Sequence, residues 1–222
     1  MLKPTHRATP TDAAHKVLEV AGLGRRFGSR AVLEGLDAEL LPGDRVALTG
    51  SNGSGKTTLI RCISGNLTPS EGRISVCGHD AGSVAARRRL GISLSQERSF
   101  YLRLSGRQNL VFFARLRLDG TAARRAVESV VEELELEQIA SERVDRCSTG
   151  MVQQLALGRA LLGDPELLVL DEPTRSLDEG ATDRLWGALE RRPAAAVLIA
   201  THRPDDIARC SGRLQLGADP QC

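Results

Sequence analysis

Hydrophobic and polar residues alternate with a period of two at two places in the first half of the chain. Residues 36–40 read Leu-Asp-Ala-Glu-Leu, and residues 74–76 read Ile-Ser-Val. Such alternation predicts strands with one face against a core and the other in water, which is typical of an antiparallel layer.

Unbroken apolar runs occur at Leu167–Leu170 and at Val197–Ala200. Runs of this length without polar residues predict central strands of a parallel sheet, buried on both faces. A third run, Val46–Leu48, leads into a glycine-rich loop. Apolar residues at helical spacing follow it within residues 59–63, and Gly65 is then expected to end that helix.

The middle of the chain, residues 105–143, has helical patterning. Ser105 and Gln108 have the spacing of a capping box, which predicts the start of one helix. A second amphipathic helix is predicted from apolar residues at helical spacing, namely Ala123, Val127, Val130, Val131 and Leu134.

Composition is that of a globular protein with 222 residues, of which 41% are hydrophobic and 26% charged. The net charge of +2 gives no reason to expect a nucleic acid partner. Five scattered cysteines without metal-binding spacing indicate reduced thiols in a cytosolic compartment. No apolar run reaches the ~18 residues that cross a bilayer, so a membrane role is expected to depend on a partner.

The strongest motif is the loop at Gly50–Thr58, GSNGSGKTT, which fits the phosphate-binding pattern G-x-x-x-x-G-K-[ST]. Small residues let backbone N–H groups surround phosphate oxygens. Lys56 can reach the β- and γ-phosphates, and the Thr57 hydroxyl is a hard ligand suited to Mg²⁺. A glycine- and serine-rich turn could match by chance, but the position between a strand and a helix favours phosphate binding. The whole loop is therefore predicted to bind ATP: Gly50, Ser51, Asn52, Gly53, Ser54, Gly55, Lys56, Thr57 and Thr58.

These elements together predict an α/β fold. Its P-loop NTPase core would contain a mixed or parallel sheet, joined to an N-terminal antiparallel β-subdomain. Residues from about 97 to 150 are predicted to form a helical subdomain inserted in the core. Residues 1–16 are polar and contain two prolines, which predicts a flexible tail ahead of a nucleotide-binding domain at residues 17–222.

Two adjacent carboxylates, Asp171 and Glu172, end the apolar run that begins at Leu167. An acid at the end of such a strand can hold the Mg²⁺ shell in a P-loop protein, and this role fits Asp171. Glu172 can accept a proton from an attacking water. Adjacent acids are usually surface charge, but their position in a chain with a P-loop favours the functional interpretation.

A third block begins at Ser148, which can cap the helix predicted from Met151 to Leu162. With Gly150 and the helix N-terminus, Ser148 forms a surface suited to an anion. The alternative is a capped core helix with no ligand. The order of the motifs along the chain favours the first interpretation.

Over residues 17–212 the sequence resembles the ATP-binding subunits of ABC transporters. The resemblance rests on six blocks in the family's order: Walker A at Gly50–Thr58, the Q-loop at Gln96, the signature segment at Ser148–Gln154, Walker B at residues 167–174, the D-loop at Ser176–Asp178 and the switch histidine at residues 201–203. The run of residues 97–110 and the Ser-x-Gly-Met signature are similar to exporters of drugs, polysaccharides and lipids.

The resemblance implies roles for further residues. Phe27 would stack on adenine, although a lone phenylalanine is more often a core residue. Gln96 would contact Mg²⁺ and the nucleophilic water, so that Thr57, Gln96 and Asp171 are the predicted metal residues. His202 would hold the γ-phosphate, which makes Glu172, His202 and Gln96 the predicted catalytic residues.

Two segments depart from the family pattern. The signature usually reads Leu-Ser-Gly-Gly-Gln, whereas residues 147–151 read Cys-Ser-Thr-Gly-Met. Ser148 and Gly150, the expected phosphate contacts, are present. In the D-loop, Arg175 and Ser176 stand before Leu-Asp, where glycine is common.

The resemblance further implies ATP hydrolysis that drives export through a separate integral membrane permease. Two copies of the chain would pair head to tail, each site taking the Walker A of one and Ser148 of the other. The pair would be peripheral at the cytoplasmic face of the membrane. Phe100 and Tyr101 are expected to dock the permease, whereas Phe112 and Phe113 are expected to pack within the helical subdomain.

Three alternatives are less favoured. A soluble ABC-type ATPase acting on ribosomes or DNA usually carries two cassettes or a long coiled coil, and this sequence has neither. A haem-exporter ATPase usually keeps glutamine at the position of Met151. A small-molecule kinase would require neither the signature segment nor His202.

Overall fold

The computed structural model describes residues 16–95 and 99–217. Its nine strands within those residues form two sheets. The antiparallel sheet has the order β2-β1-β4-β5 and consists of β1 (Leu18–Phe27), β2 (Arg30–Leu40), β4 (Glu71–Val76) and β5 (His79–Asp80). The parallel sheet has the order β6-β7-β8-β3-β9 and consists of β3 (Arg45–Thr49), β6 (Leu90–Ser93), β7 (Leu167–Asp171), β8 (Ala196–Ala200) and β9 (Gly212–Gln215).

Eight α-helices connect or cover these strands in the described part of the chain. They are α1 (Lys56–Ile63), α2 (Val84–Arg89), α3 (Gly106–Arg115), α4 (Gly120–Glu133), α5 (Glu137–Ser141), α6 (Thr149–Leu161), α7 (Glu179–Glu190) and α8 (Pro204–Ala208), with one 3-10 turn at Val144–Arg146. The predicted α/β class, with one antiparallel and one parallel sheet, is confirmed. No helix in the described ranges is long and apolar enough to span a membrane.

The alternating segments occupy the antiparallel sheet as predicted. In β2, Leu40 pairs with Leu18 and Ala38 pairs with Val20, which in turn pairs with Ile74 of β4. Because successive side chains on a strand point to opposite faces, these apolar residues share one face, while the charged residues between them are exposed.

Strands β7 and β8 divide the core into two halves. Their register pairs Leu168 with Val197 and Leu170 with Ile199. These four side chains pack in one cluster with buried residues of α3 to α7. The alternate residues, such as Leu167 and Val169, face α1 and the antiparallel sheet. All ten residues of the two strands are buried, and a fully buried leucine contributes about 2 kcal/mol. The unbroken apolar runs therefore follow from coverage on both faces.

The helices α3 to α5 lie between β6 and β7 in the chain. The Ser105 Oγ accepts a hydrogen bond from the Gln108 N–H, and the Gln108 side chain accepts one from the Ser105 N–H at 2.9 Å, so the predicted capping box is present. The division of the chain into a helical subdomain and a separate tail stays a prediction. Residues 1–15 of the predicted tail lie outside the described residues.

The expectation that Phe100 lies on a docking surface is wrong. Phe100 is only 6% exposed, because its ring packs edge to face against Phe113 at 5.8 Å and lies under the Arg159 guanidinium. Tyr101 is 50% exposed, and its ring contacts that of Phe112, which is also exposed, at 4.9 Å. Phe100 is therefore a core residue, whereas its neighbour Tyr101 lies at the surface with Phe112.

Candidate functional site

The glycine-rich loop leaves the end of β3 and enters α1. Gly50 has φ +151°, and a Cβ on it would lie 2.6 Å from the Leu216 carbonyl oxygen. Gly55, the residue before α1, has φ +100°, and a Cβ there would lie 2.7 Å from the Leu33 side chain. Side chains rarely adopt such angles, and neither position has room for one. The loop therefore needs glycine at both ends to curl tightly between the two sheets.

Lys56 begins α1 and folds back over the loop. Its Nζ donates hydrogen bonds to the Gly50 carbonyl at 2.6 Å and to the Ser51 carbonyl at 3.1 Å. These contacts hold the ammonium group beside the concave side of the loop. The first turn of α1 contains no acidic residue, so its positive dipole end adds to the charge of Lys56. The loop and helix together present an anion-binding surface.

A pocket of about 270 Å³ opens at this loop and brings distant sequence motifs together. Its lining combines residues of the loop and α1 with residues from the ends of other strands: Val32, Asn52, Gly53, Gly55, Lys56, Thr57, Thr58, Ser95, Asp171, Glu172 and Arg175. Gly50, Ser51 and Ser54 shape the loop without lining the pocket. Asp171 and Glu172, more than a hundred residues away in sequence, thus face Lys56 and Thr57.

Asp171 ends β7 and is buried at 5% exposure. The Ser95 hydroxyl donates a hydrogen bond to its Oδ2 atom at 2.9 Å. Ser95 reaches it because β6 is the neighbour of β7, with Ser93 paired to Leu170. Sequence reasoning missed Ser95, although its position just beyond β6 was a usable signal, since parallel strands end at the same sheet edge.

Glu172 and His202 are in direct contact. The Glu172 Oε1 and His202 Nδ1 atoms lie 2.8 Å apart, and the Glu172 N–H donates to the Ala200 carbonyl at 2.7 Å. Glu172 has φ +49°, an uncommon angle for a residue with a side chain. Its side chain is 14% exposed, and its Oε2 atom is buried without a hydrogen bond to any described residue. One carboxylate oxygen of Glu172, a residue that lines the pocket, is thus left unpaired.

The donor set suits one hard divalent cation. Thr57 offers a hydroxyl and Asp171 a carboxylate, and both line the pocket. Mg²⁺ prefers oxygen ligands and is commonly bound through one or two carboxylates together with substrate phosphates and water. No group of three or more His, Cys, Asp or Glu residues in the described ranges forms a metal site without such help. The residues therefore fit Mg²⁺ that arrives with a nucleotide.

Phe27 is the last residue of β1, and its side chain is 49% exposed. This exposure shows that it is not a core residue. The Arg25 guanidinium carbon lies 4.6 Å from its ring centroid. Phe27 does not line the phosphate pocket. Gln96, predicted to contact both metal and water, lies outside the described residues.

The signature segment lies away from the pocket. Ser148 is the N-cap of α6, and its Oγ accepts a hydrogen bond from the Met151 N–H at 3.2 Å. A Cβ on Gly150 would lie 2.7 Å from the Ser176 carbonyl oxygen, so this glycine allows the D-loop to approach the helix. Neither Ser148 nor Gly150 lines the pocket that holds Lys56. Five of the predicted motifs therefore form two separate groups. Walker A, Walker B and the switch histidine lie together, and the signature segment lies against the D-loop.

A parallel sheet with a glycine-rich loop, an adjacent lysine and a carboxylate at the next strand end defines a P-loop nucleotide-binding domain. Residues 33–175 match the ABC transporter family. The chain belongs to that family, as the sequence resemblance predicts.

Two curated relatives and one solved structure illustrate the similarity. Nod factor export ATP-binding protein I of Rhizobium meliloti (strain 1021) is 36% identical over 212 residues, which cover 93% of this chain and 62% of the relative. Daunorubicin resistance ATP-binding protein DrrA3 of Streptomyces coeruleorubidus is 34% identical over 91% of this chain and 66% of the relative. A solved ATP binding subunit of an ABC transporter has a TM-score of 0.82 and 30% identity, covering 90% of this chain and 85% of that one.

The chain spans less than two thirds of the length of these two curated relatives. Both carry the names of export or resistance ATP-binding proteins. The family and the fold that the sequence predicts are thus confirmed, and the similarity extends over nearly all of the described residues.

Proposed function

We propose that this chain binds ATP with Mg²⁺ and hydrolyses it to drive export through a separate membrane permease. The observation that carries the proposal is the Glu172–His202 contact at the wall of a pocket that also holds Lys56, Thr57 and Asp171. ATP binding agrees with the family and with the similar ATP binding subunit. The names of the export relatives support the direction of transport.

Hydrolysis transfers the γ-phosphoryl group of ATP to water. Glu172 Oε1 is engaged by His202, which leaves Oε2 to accept the proton of the attacking water. The exposed imidazole of His202, at 71%, is free to turn its other nitrogen toward the γ-phosphate. Lys56 would neutralise charge on the β- and γ-phosphates. Thr57, Asp171 and Gln96 would hold Mg²⁺, which would add further charge neutralisation when bound.

A second copy of the chain completes each site in this proposal. Ser148 and Gly150 lie at the N-terminus of α6 and outside the phosphate pocket of their own chain. A helix N-terminus leaves backbone N–H groups without helical partners, and a γ-phosphate can accept from them. A head-to-tail pair of identical chains would bring the P-loop of one to the Ser148 of the other. Phe27 would stack on the adenine of the same nucleotide.

The permease would dock at a groove on the surface of the domain whose lining is mostly apolar. A cavity of about 490 Å³ lies there, lined by residues of α2, β6 and the end of α3. Val84 and Leu116 both line it and are 68% and 64% exposed, and exposed apolar side chains that share one groove are typical of an interaction surface. A cytoplasmic segment of an integral membrane protein could cover them. The chain would then be peripheral at the cytoplasmic face of the membrane.

Two measurements test the proposed function. The purified chain should hydrolyse ATP in the presence of Mg²⁺, and Lys56→Ala should abolish ATP binding, whereas Lys16→Ala, on the distant surface, should not. Affinity capture of the chain from detergent-solubilised membranes should yield an integral membrane protein, and Val84→Ser with Leu116→Ser should reduce that yield. Recovery of ribosomes instead would favour a soluble ABC-type ATPase.

A further inference from the structure

A buried carboxylate joins the two loops that carry the candidate catalytic residues. The Thr174 hydroxyl donates a hydrogen bond to Asp206 Oδ2 at 2.6 Å, and the Thr201 hydroxyl donates to the same oxygen at 3.0 Å. All three residues are at most 2% exposed. Asp206 lies in α8, outside the pocket. Its Oδ2 atom therefore links this helix to both loops.

The two threonines of this junction, which consists of Asp206, Thr174 and Thr201, lie next to the candidate catalytic residues. Thr174 stands two residues after Glu172 in the loop beyond β7, and Thr201 stands immediately before His202 in the loop beyond β8. The side chains of Glu172 and His202 meet at 2.8 Å. Asp206 therefore connects the two loops that carry these side chains.

Arg203 adds a second connection between the same loops. Its guanidinium donates to the Thr174 carbonyl at 2.9 Å, and its backbone N–H donates to the Thr201 hydroxyl at 3.1 Å. Thr201 therefore accepts one hydrogen bond and donates another. Chains of hydrogen bonds in a buried setting hold their members in one orientation.

The charge of Asp206 needs an explanation, since burial of a carboxylate is costly unless it is hydrogen-bonded. Asp206 forms no ion pair with another described residue, and its side chain receives the two hydroxyl bonds. An apolar side chain would fill the same space without that cost. It would leave both buried hydroxyls without an acceptor and would remove the link that Asp206 makes between the two loops.

We propose that Asp206 is a positioning residue, which sets the Glu172–His202 contact through Thr174 and Thr201. The proposal rests on the proposed ATPase function. Loss of the junction should lower the rate of the chemical step and leave ATP binding by the P-loop unchanged, because Asp206 touches neither the loop nor the pocket. The split between kcat and KM distinguishes positioning from a general loss of folding.

The test compares isosteric and conservative changes at the threonines. Thr174→Val and Thr201→Val keep the side-chain shape and remove the hydroxyl, whereas Thr174→Ser and Thr201→Ser keep the hydroxyl. Each valine variant should lower kcat about tenfold with the KM for ATP within twofold of wild type. Each serine variant should retain at least half of the wild-type kcat. Thr182→Val is the matched control, since the Thr182 hydroxyl donates to the carbonyl of Asp178, the N-cap of α7, and not to Asp206.

Asp206→Asn keeps an oxygen that accepts both hydroxyls, and it should retain more activity than Asp206→Ala. If Asp206→Ala does not fold, the valine and serine variants carry the test alone. Equal kcat in valine and wild-type proteins would overturn the proposal. So would a loss of activity that serine fails to restore, because that pattern marks a packing role.

Hydrogen–deuterium exchange separates this proposal from the proposed function. Thr201→Val should raise exchange both at residues 172–178 and at residues 201–206, because the two loops lose a shared attachment. Wild-type protein without ATPase activity would contradict the proposed function. The exchange result would still test whether Asp206 attaches the two loops to each other. Faster exchange in only one of the two segments would overturn the junction.

Discussion

Glu172 and His202 follow different strands, yet their side chains meet with 2.8 Å between Oε1 and Nδ1. The contact exists because β7 and β8 are parallel neighbours and both end at the same edge of the sheet. Its effect is to occupy one oxygen of the carboxylate and leave the other buried without a hydrogen bond to any described residue. A proton acceptor and a phosphate-sensing imidazole thus act as one unit in the proposed mechanism.

Glu172→Gln should bind ATP and hydrolyse it at least a hundredfold more slowly. The amide cannot accept the proton of the attacking water, while the P-loop that binds the triphosphate is unchanged. Turnover is measured by phosphate release, and dimer formation with ATP by size-exclusion chromatography, where the variant should accumulate as a dimer. Glu190→Gln, on the exposed side of α7, is the control and should behave as wild type. Near-normal turnover of Glu172→Gln would remove this residue from the catalytic role.

Ser148→Asp separates the structural from the proposed functional role of the α6 N-cap. Aspartate caps helices as well as serine does, so the melting temperature should change little. Its charge should repel the γ-phosphate of the nucleotide on the other chain, which should lower ATPase activity at least tenfold and prevent ATP-dependent dimerisation.

Ser83→Asp makes the same change at the N-cap of α2 and is the matched control. It should retain both activity and dimer formation. Ser148→Ala should lose about 1 kcal/mol of stability with the cap. If Ser148→Asp dimerises and hydrolyses ATP as wild type does, Ser148 is a helix cap only.

Phe27→Ala should weaken ATP binding about tenfold without lowering stability. Base–aromatic stacking contributes about 1–3 kcal/mol, whereas the exposed Phe27 ring contributes little to the core. Binding of ATP is measured by isothermal titration, and Phe27→Trp should restore it. Phe112→Ala, at another exposed aromatic, should bind ATP normally, and a result in which both alanine variants bind normally would place the adenine elsewhere.

Buried thiols predict a loss of stability at alkaline pH. Burial, together with the nearby Glu166 carboxylate, raises the pKa of Cys77 from 9.0 to about 11. A raised pKa favours the protonated thiol in the folded state, so this contribution is complete below pH 9. It is lost as pH rises from about 9 to about 11, because the unfolded chain can release the proton.

Urea unfolding between pH 8 and pH 11 measures this effect. Cys77→Ala should reduce the alkaline loss of unfolding free energy by up to about 2 kcal/mol relative to wild type. Ser64→Ala, at a buried residue that does not titrate, should be less stable than wild type at every pH with an unchanged slope. Parallel curves for wild type and Cys77→Ala would show that the thiol does not titrate in this range.

Much of the architecture was predictable from patterns within short segments. A strand covered on one face alternates apolar and polar residues, as residues 36–40 do. A strand covered on both faces is apolar throughout, as β7 and β8 are, so burial can be read from the local sequence. The aromatics were harder to assign. Phe100 and Tyr101 are adjacent and chemically similar, and only the contacts with Phe113 and Arg159 decide which ring is buried.

The sequence by itself determined the P-loop, its family and the acids that end β7, because glycine, lysine and carboxylate at fixed spacing have few other uses. It also marked His202 and Ser148, whose neighbours in the chain follow the family pattern. Only the tertiary structure decided that Ser95 holds Asp171, that Glu172 keeps one free oxygen and that Asp206 joins Thr174 to Thr201. These contacts link segments separated in the chain, so they depend on strand order and register, which no local pattern contains.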